Sequence, residues 1–439
     1  MRLTFNALAL CLSLSCNAFA AFAQTNIDKL PPQVNLDGQS ELAPIVSADG
    51  KTLYFTRGRQ GADAETVFDI WRTEIKSETQ FTNASIVGGN LSSRFGIAVT
   101  SVSPDNNVLY LMGKMFEATP PDERIYRTVQ TREGWDFPKP VKIKSLKARG
   151  TYTDYSFGPD QRTLVMSMER DSAMGGRDLY ISFYQEAEDI WSEPLWLGTR
   201  VNSPYNEITP FLAPDTKTLY FSSERPNGIG ECDVYRVIRK DDTWKNWTYP
   251  ENLGPSVNRP GRTMYYTEDA KGEFAYFVWR KDQRSYTDIY RARLEQKKTI
   301  TTVIVEGKVI DERGRPVEAA IKYTAESDAM LGTARSNPTT GEFLIALPAS
   351  QKYVIEADRV GYTPGRSEIT LDGSKSTESV TLTLTSLKVG SAARLNNLFF
   401  ETDRSVLYSS SFAELDRLHQ LMMEDPKLVI SVEGHTDDV

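Results

Sequence analysis

The chain has 439 residues, with 51 Lys and Arg against 59 Asp and Glu, three Cys and two His. At roughly 100–200 residues per domain, that length holds two to four domains with separate cores. A net charge of −8 speaks against a nucleic-acid-binding surface, and two histidines near the C-terminus leave little for a His-based metal site or a His-dependent triad.

Residues 1–23 read as a signal peptide. Arg2 precedes the apolar run Ala7–Ser15, and Ala21-Phe22-Ala23 before Gln24 fits a small-residue cleavage site, with Ala18-Phe19-Ala20 as the alternative. The run is too short to span a bilayer, and no later stretch approaches the roughly 18–20 apolar residues that would. The expectation is an exported chain. Ser13-Leu14-Ser15-Cys16 is a poor match to a lipoprotein box, so Cys16 is read as discarded with the leader. Cys232 then stands alone, which excludes a disulfide framework, and it is read as a structural thiol.

A repeat dominates the next 270 or so residues. The turns at Asp49, Asp105, Asp160, Asp215 and Asp269 are 56, 55, 55 and 54 residues apart. Each precedes an apolar-aromatic strand (Thr52–Thr56, Val108–Met112, Thr163–Ser167, Thr218–Ser222, Glu273–Val278). Each strand is followed by an aromatic landmark: Asp69-Ile70-Trp71, Arg124-Ile125-Tyr126, Asp178-Leu179-Tyr180, Asp233-Val234-Tyr235 and Asp288-Ile289-Tyr290. About four short strands per unit cannot bury both faces alone, so the units are expected to stack radially as a five-bladed β-propeller, with six blades as the alternative count. Pro32–Gly38 resembles Leu197–Asn202 and Leu253–Asn258, and the last unit lacks its own copy. The N-terminal strand is therefore expected to complete the last blade.

Each turn aspartate is isolated in its own turn, so it is read as capping the local backbone rather than binding calcium. A basic residue recurs at Arg57, Lys114, Arg170, Arg225 and Arg280. It is expected to pair with the Asp of the following aromatic strand; a ring of cations facing the central channel is the alternative. The stretch Phe211–Arg225, FLAPDTKTLYFSSER, resembles the WD40-like repeat of TolB-type periplasmic propellers. That resemblance covers 27–297.

Residues 301–386 read as a β-sandwich. Val303–Val317 shows two alternating strands around an Arg-Gly-Arg turn, and Phe343, Ile345, Leu347 and then Tyr353, Ile355, Ala357 alternate inward. The pattern G-x-V-x-D-x-x-G-x-P followed by G-x-F, L-P and G-Y resembles carboxypeptidase regulatory-like domains; the module has no His, so no peptidase is implied.

In 394–439, Leu398-Phe399-Phe400 begins a strand and Ser411-Phe-Ala-Glu414 fits a capping box. Phe412, Leu415, Leu418 and Met422 recur at helical spacing, and Leu428, Ile430 and Val432 alternate into Gly434-His435-Thr436-Asp437. This stretch resembles the start of the OmpA-like peptidoglycan-binding domain, an α/β fold present here only in part. The resemblance implies that Asp437 binds the ammonium of a peptidoglycan peptide stem. The family's following helix and its Arg are absent before Val439, so the chain is expected to be a shortened copy.

The fold expectation is thus mainly β: a propeller, a β-sandwich and a partial OmpA-like α/β domain. The module order resembles OmpA-family cell-envelope proteins, including a peptidoglycan-anchoring component of type IX secretion. The functional expectation is a non-catalytic protein of the periplasm or outer membrane of a Gram-negative bacterium. It would anchor to peptidoglycan and present the propeller to an envelope protein partner, with no cofactor, no metal, no catalytic residue and no nucleic acid. The alternative is a periplasmic enzyme acting on glycan or cell wall through propeller carboxylates.

Overall fold

The structure, a computed structural model, describes residues 27–387 apart from 61–65, 94, 116–124, 172, 295–301 and 326–329, together with scattered positions beyond 387. The leader, Asp437 and almost all of 394–439 lie outside the described residues. The described chain is mainly β, and none of its helices is long and apolar enough to cross a membrane.

Five antiparallel sheets follow one another along the chain. The first is built on Glu41–Val46, Thr52–Gln60 and Thr66–Ser77, and the second on Ile97–Val102, Val108–Gly113 and Ile125–Thr131. Arg149–Phe157, Thr163–Glu169 and Asp178–Gln185 make the third; Glu207–Leu212, Thr218–Ser223 and Asp233–Ile238 make the fourth. Short outer strands complete these four. The fifth, Arg262–Glu268, Phe274–Arg280 and Asp288–Arg293, is completed by Ile27–Lys29 from the N-terminus, with Ile27 opposite Ala292 and Lys29 opposite Tyr290.

The first strand of each sheet packs against the first strand of the next, and the fifth returns to the first, so the sheets form a closed β-propeller-like ring. Hydrogen bonds tie neighbouring sheets at the repeat spacing. Ser101 Oγ accepts from Phe157 N at 2.8 Å, Ser156 Oγ from Leu212 N at 3.4 Å and Thr209 Oγ1 from Tyr265 N at 3.2 Å. Apolar side chains fill the gaps between sheets. Val165, Leu179 and Ile181 of the third meet Leu219, Phe221 and Val237 of the fourth; Leu53 and Phe55 of the first meet Tyr276, Val278 and Ile289 of the fifth.

Ring closure repeats a local motif over a long distance. Asn202 bridges the backbone of Leu179 through both its amide atoms, and Asn258 does the same at Val234. Asn35 makes the same two bonds to Ile289, at 3.0 and 2.9 Å, across the two ends of the ring.

Thr302–Asp311 lies between Glu342–Pro348, antiparallel, and Thr377–Ser386, parallel. A second sheet of Met330–Arg335, Ala320–Ala325, Gln351–Asp358 and Gly365–Leu371 faces it. The two share a core that includes Phe343, Ile345, Leu347, Tyr353, Ile355 and Ala357. Gly307 is required there, since a Cβ would run into the Phe343 ring. Val303–Val317 is not two strands: after Asp311 the chain turns, Pro316 makes only an isolated bridge to Ile310, and the next strand starts at Ala320. Pro316 has no N–H to give a ladder.

This two-sheet unit sits on the turn face of the ring. Asn107 Nδ2 donates to Arg335 O at 2.8 Å, Arg335 N to Asp105 Oδ2 at 3.0 Å and Thr333 N to Asp160 O at 3.1 Å. Ile304 and Ala346 pack on Ala270 and Ala48.

Candidate functional site

The inner strands leave a channel along the ring axis. Its far half, toward the turns, is an apolar throat of about 240 Å³ lined by Pro44, Pro104, Pro159, Pro210 and Pro214. Toward the N-terminal ends of the inner strands it widens into a cavity of about 1070 Å³, at the upper end of the range for small-ligand sites. Asp154, Thr209 and Tyr265 line both, so they stand where mouth meets throat.

Asp154 is set by the repeat and departs from it. It lies six residues before the turn aspartate Asp160, where the first and fourth units have Ala43 and Thr209. Here the inner strands bulge: register shifts fall between Leu42 and Ile45, Arg149 and Asp154, Ile208 and Phe211, and Met264 and Thr267. Ala43, Thr209 and Tyr265 take φ of 47°, 47° and 56°, a left-handed conformation that is uncommon for such residues and is held by the ring around them.

Asp154 Oδ2 accepts from Arg177 Nη1 at 3.2 Å and from Thr209 N at 3.0 Å. Oδ1 has no protein hydrogen bond among the described residues. Burial pushes the carboxyl above the usual carboxylate range, against the opposing pull of Arg177 and the Thr209 amide. Burial also pushes the neighbouring Tyr265 phenol up, so it stays protonated. A carboxyl whose pKa is raised, lining a large cavity, is shifted toward the form that can give a proton to a bound ligand.

The rest of the mouth is basic. Arg262 is held by Glu224 at 2.6 Å, and Asn206 donates to the same carboxylate at 2.7 Å. Lys142, Lys147 and Arg280 also line the cavity. Tyr152 stands at its edge, 76% exposed, with the Arg177 guanidinium 6.0 Å from its ring centre.

The turn aspartates cap their own turns: Asp49 accepts from Lys51 N, Asp105 from Asn107 N, Asp160 from Arg162 N, Asp215 from Lys217 N and Asp269 from Phe274 N. The recurring cations pair differently from the expectation. Arg57 bonds Glu41 at 2.8 Å, both nearly fully buried, and its guanidinium lies 4.3 Å from the Trp71 ring centre. Arg225 bonds Glu207 at 2.9 Å. In both cases the partner is a glutamate on the inner strand. Two of the aspartates are engaged elsewhere: Asp178 caps Met174 N and holds the Trp196 indole, and Asp233 takes Ile229 N, Gly230 N and Asn252. Nor do the five cations form a ring, since only Arg280 of them lines the channel mouth.

Cys232 is fully buried, and burial pushes its thiol up to about 12. A thiol-disulfide reagent should therefore leave Cys232 unlabelled in the native chain and react with it once guanidinium unfolds the fold; rapid labelling of Cys232 in the native protein, read by peptide mapping, would contradict this placement. No group of three or more metal-ligand residues is gathered among the described residues.

Sequence reasoning missed Asp154, Arg177 and Arg262. Asp154 could have been found as the carboxylate at a position where the other units carry Ala43, Val99, Thr209 and Thr263. Asp437, the residue expected to bind peptidoglycan, lies outside the described residues.

No protein-family model matches the sequence, and no curated protein matches it. Solved structures similar to the chain include an α-L-arabinofuranosidase from Podospora anserina in complex with cellotriose, 11% identical, TM-score 0.41, covering 62% of this chain and 97% of that one. The catalytic domain of an α-L-arabinofuranosidase from Coprinopsis cinerea is 10% identical, TM-score 0.41, over 62% and 97%. A xylan β-1,4-xylosidase from Bacillus halodurans is 10% identical, TM-score 0.40, over 81% and 95%. These neighbours are glycan-cleaving enzymes, and they run against the expectation of a non-catalytic peptidoglycan anchor, which is withdrawn. At TM-scores below 0.5 the likeness assigns no activity to this chain.

Proposed function

We propose that the ring is a five-bladed propeller that acts on a glycan at its wide mouth, in a chain exported to the periplasm. The observation that carries this reading is Asp154: a carboxyl only 14% exposed, its pKa raised by burial, with one oxygen unbonded to protein among the described residues, at the floor of a cavity of about 1070 Å³. The export reading is supported by the pattern of residues 1–23.

The chemistry assigned to Asp154 is proton donation. It gives its proton to the bridging oxygen as the glycosidic C–O bond breaks; water supplies hydroxide to the sugar carbon, and the water's remaining proton restores Asp154. Glycosidases commonly pair two carboxylates. Among the described residues that line the wide mouth Asp154 is the one carboxylate, Glu268 lying in the throat, so the role assigned stops at the donor. Tyr152 offers an aromatic face for a sugar ring.

The test is turnover by the purified chain on a panel of neutral, acidic and cell-wall polysaccharides, followed as new reducing ends. Release from at least one, lost on Asp154→Asn, is the expected result; a blank across the panel would overturn the reading.

A further inference from the structure

The mouth is charged against the rest of the molecule. The chain carries −8, yet the described cavity lining holds Lys142, Lys147, Arg177, Arg262 and Arg280 against Asp154 alone. Arg177 is taken by Asp154 and Arg262 by Glu224. Lys142, Lys147 and Arg280 have no carboxylate partner among the described residues.

Arg280 is the most telling of the three. It lies directly opposite Arg262 in the antiparallel register of the fifth sheet. Like charges facing each other across two strands are destabilising, and Glu224 neutralises only one of them. The backbone keeps the two residues opposite each other. Gly261 sits at φ 105°, and a Cβ there would strike the carbonyls of Arg280 and Lys281. On the opposite wall, the loop 145–150 takes left-handed φ at Ser145 (51°), Lys147 (36°) and Gly150 (72°), placing Lys147 at the rim.

A ligand carrying negative charge would screen the Arg–Arg pair and balance the unpartnered lysines; the guanidinium fork suits a carboxylate or a sulfate. A neutral sugar brings no charge to either.

We propose that the glycan taken by this mouth carries oxyanions on its rings, and that Arg280 with Lys142 and Lys147 selects for them. This rests on the glycan reading and names its substrate class. Arg280 acts here as a specificity residue.

The experiment is calorimetric titration of the full chain with four probes of matched length: a neutral xylo-oligosaccharide, a galacturonate oligosaccharide, a sulfated oligosaccharide and single-stranded DNA. The expected result is preferential binding of one or both anionic saccharides, weakened by added salt. Which of the two binds tighter identifies the oxyanion. Arg280→Gln should weaken that binding roughly 10- to 100-fold and narrow the preference for anionic over neutral saccharide by the same factor. The variant removes a like-charge pair, so its melting temperature should hold or rise, which separates lost recognition from lost folding. Equal binding of the neutral probe, or an indifferent Arg280→Gln, overturns the proposal. Tighter binding of DNA than of either anionic saccharide also overturns it. Turnover of neutral glycans with rejection of acidic ones defeats this inference and leaves the glycan reading standing; binding and turnover of no glycan defeat both.

Discussion

Asp154→Asn should lower turnover of whichever glycan the chain cleaves by about 10²–10⁴-fold, the usual contribution of a positioned proton donor, while the ring stays folded. Asparagine keeps an oxygen to accept the Thr209 amide and fills the same space, but it has no proton to give. It also leaves Arg177 without its carboxylate. That guanidinium side chain is 22% exposed, so water takes up part of the loss and about 1 kcal/mol is the scale of the stability change. Circular dichroism and melting of the variant should therefore look like the parent.

The pH profile separates a donor from a mere binding residue. Burial raises the folded-state pKa of Asp154, and the donor form is the protonated one. The parent's rate should fall as pH rises through that raised value, and the residual rate of Asp154→Asn should lack this limb. Stability follows the same sign. A carboxyl whose folded pKa is raised favours the fold below its unfolded pKa, and that contribution is lost as pH rises through the folded value. The stability difference between parent and variant should thus move in the variant's favour on going from acid to neutral pH. A variant with parental turnover, or an unchanged pH limb, removes Asp154 from the chemistry.

The parts of the fold that were legible in the sequence are those written in a local period. The turn aspartates cap as their spacing suggested because each needs only backbone two to five residues away. The closing strand was legible because Val34-Asn35 copies a motif present twice elsewhere. What could not be read depends on cross-strand register. Arg57 faces Glu41 across the first sheet, sixteen residues back, while the aspartate twelve residues ahead gave the more visible pattern. The mouth is the extreme case: Asp154, Arg177, Arg262 and Arg280 come from three strands of two non-adjacent sheets and a loop, and only the closed ring makes them neighbours. The repeat draws the eye to what recurs; Asp154 matters because it does not.

Asn35→Ala should destabilise the ring by about 3–5 kcal/mol, from three hydrogen bonds lost at a 5% exposed position and roughly 1–3 kcal/mol for each buried group left unpaired. Its Nδ2 donates to Leu30 O at 2.8 Å and Ile289 O at 3.0 Å, and its Oδ1 accepts from Ile289 N at 2.9 Å. The alanine leaves Ile289 N without this partner and Leu30 O bare; only the Leu30 N to Ile289 O bond remains beside them. At roughly 2–4 °C per kcal/mol for a domain of this size, the melting temperature should fall by about 6–20 °C. Asn202→Ala removes the equivalent bonds to Leu179, but its segment is held by covalent chain on both sides of a continuous run of sheets. Asn35 instead ties a segment that joins the fifth sheet from the other end of the ring, through Leu30, Val34 and the short strand Ile27–Lys29. Limited proteolysis should therefore clip the N-terminal segment of the Asn35 variant well before its melting point and spare that of the Asn202 variant. Equal protection of the two would mean that the ring is not closed by this strand, and that the fifth sheet holds its outer edge by other means.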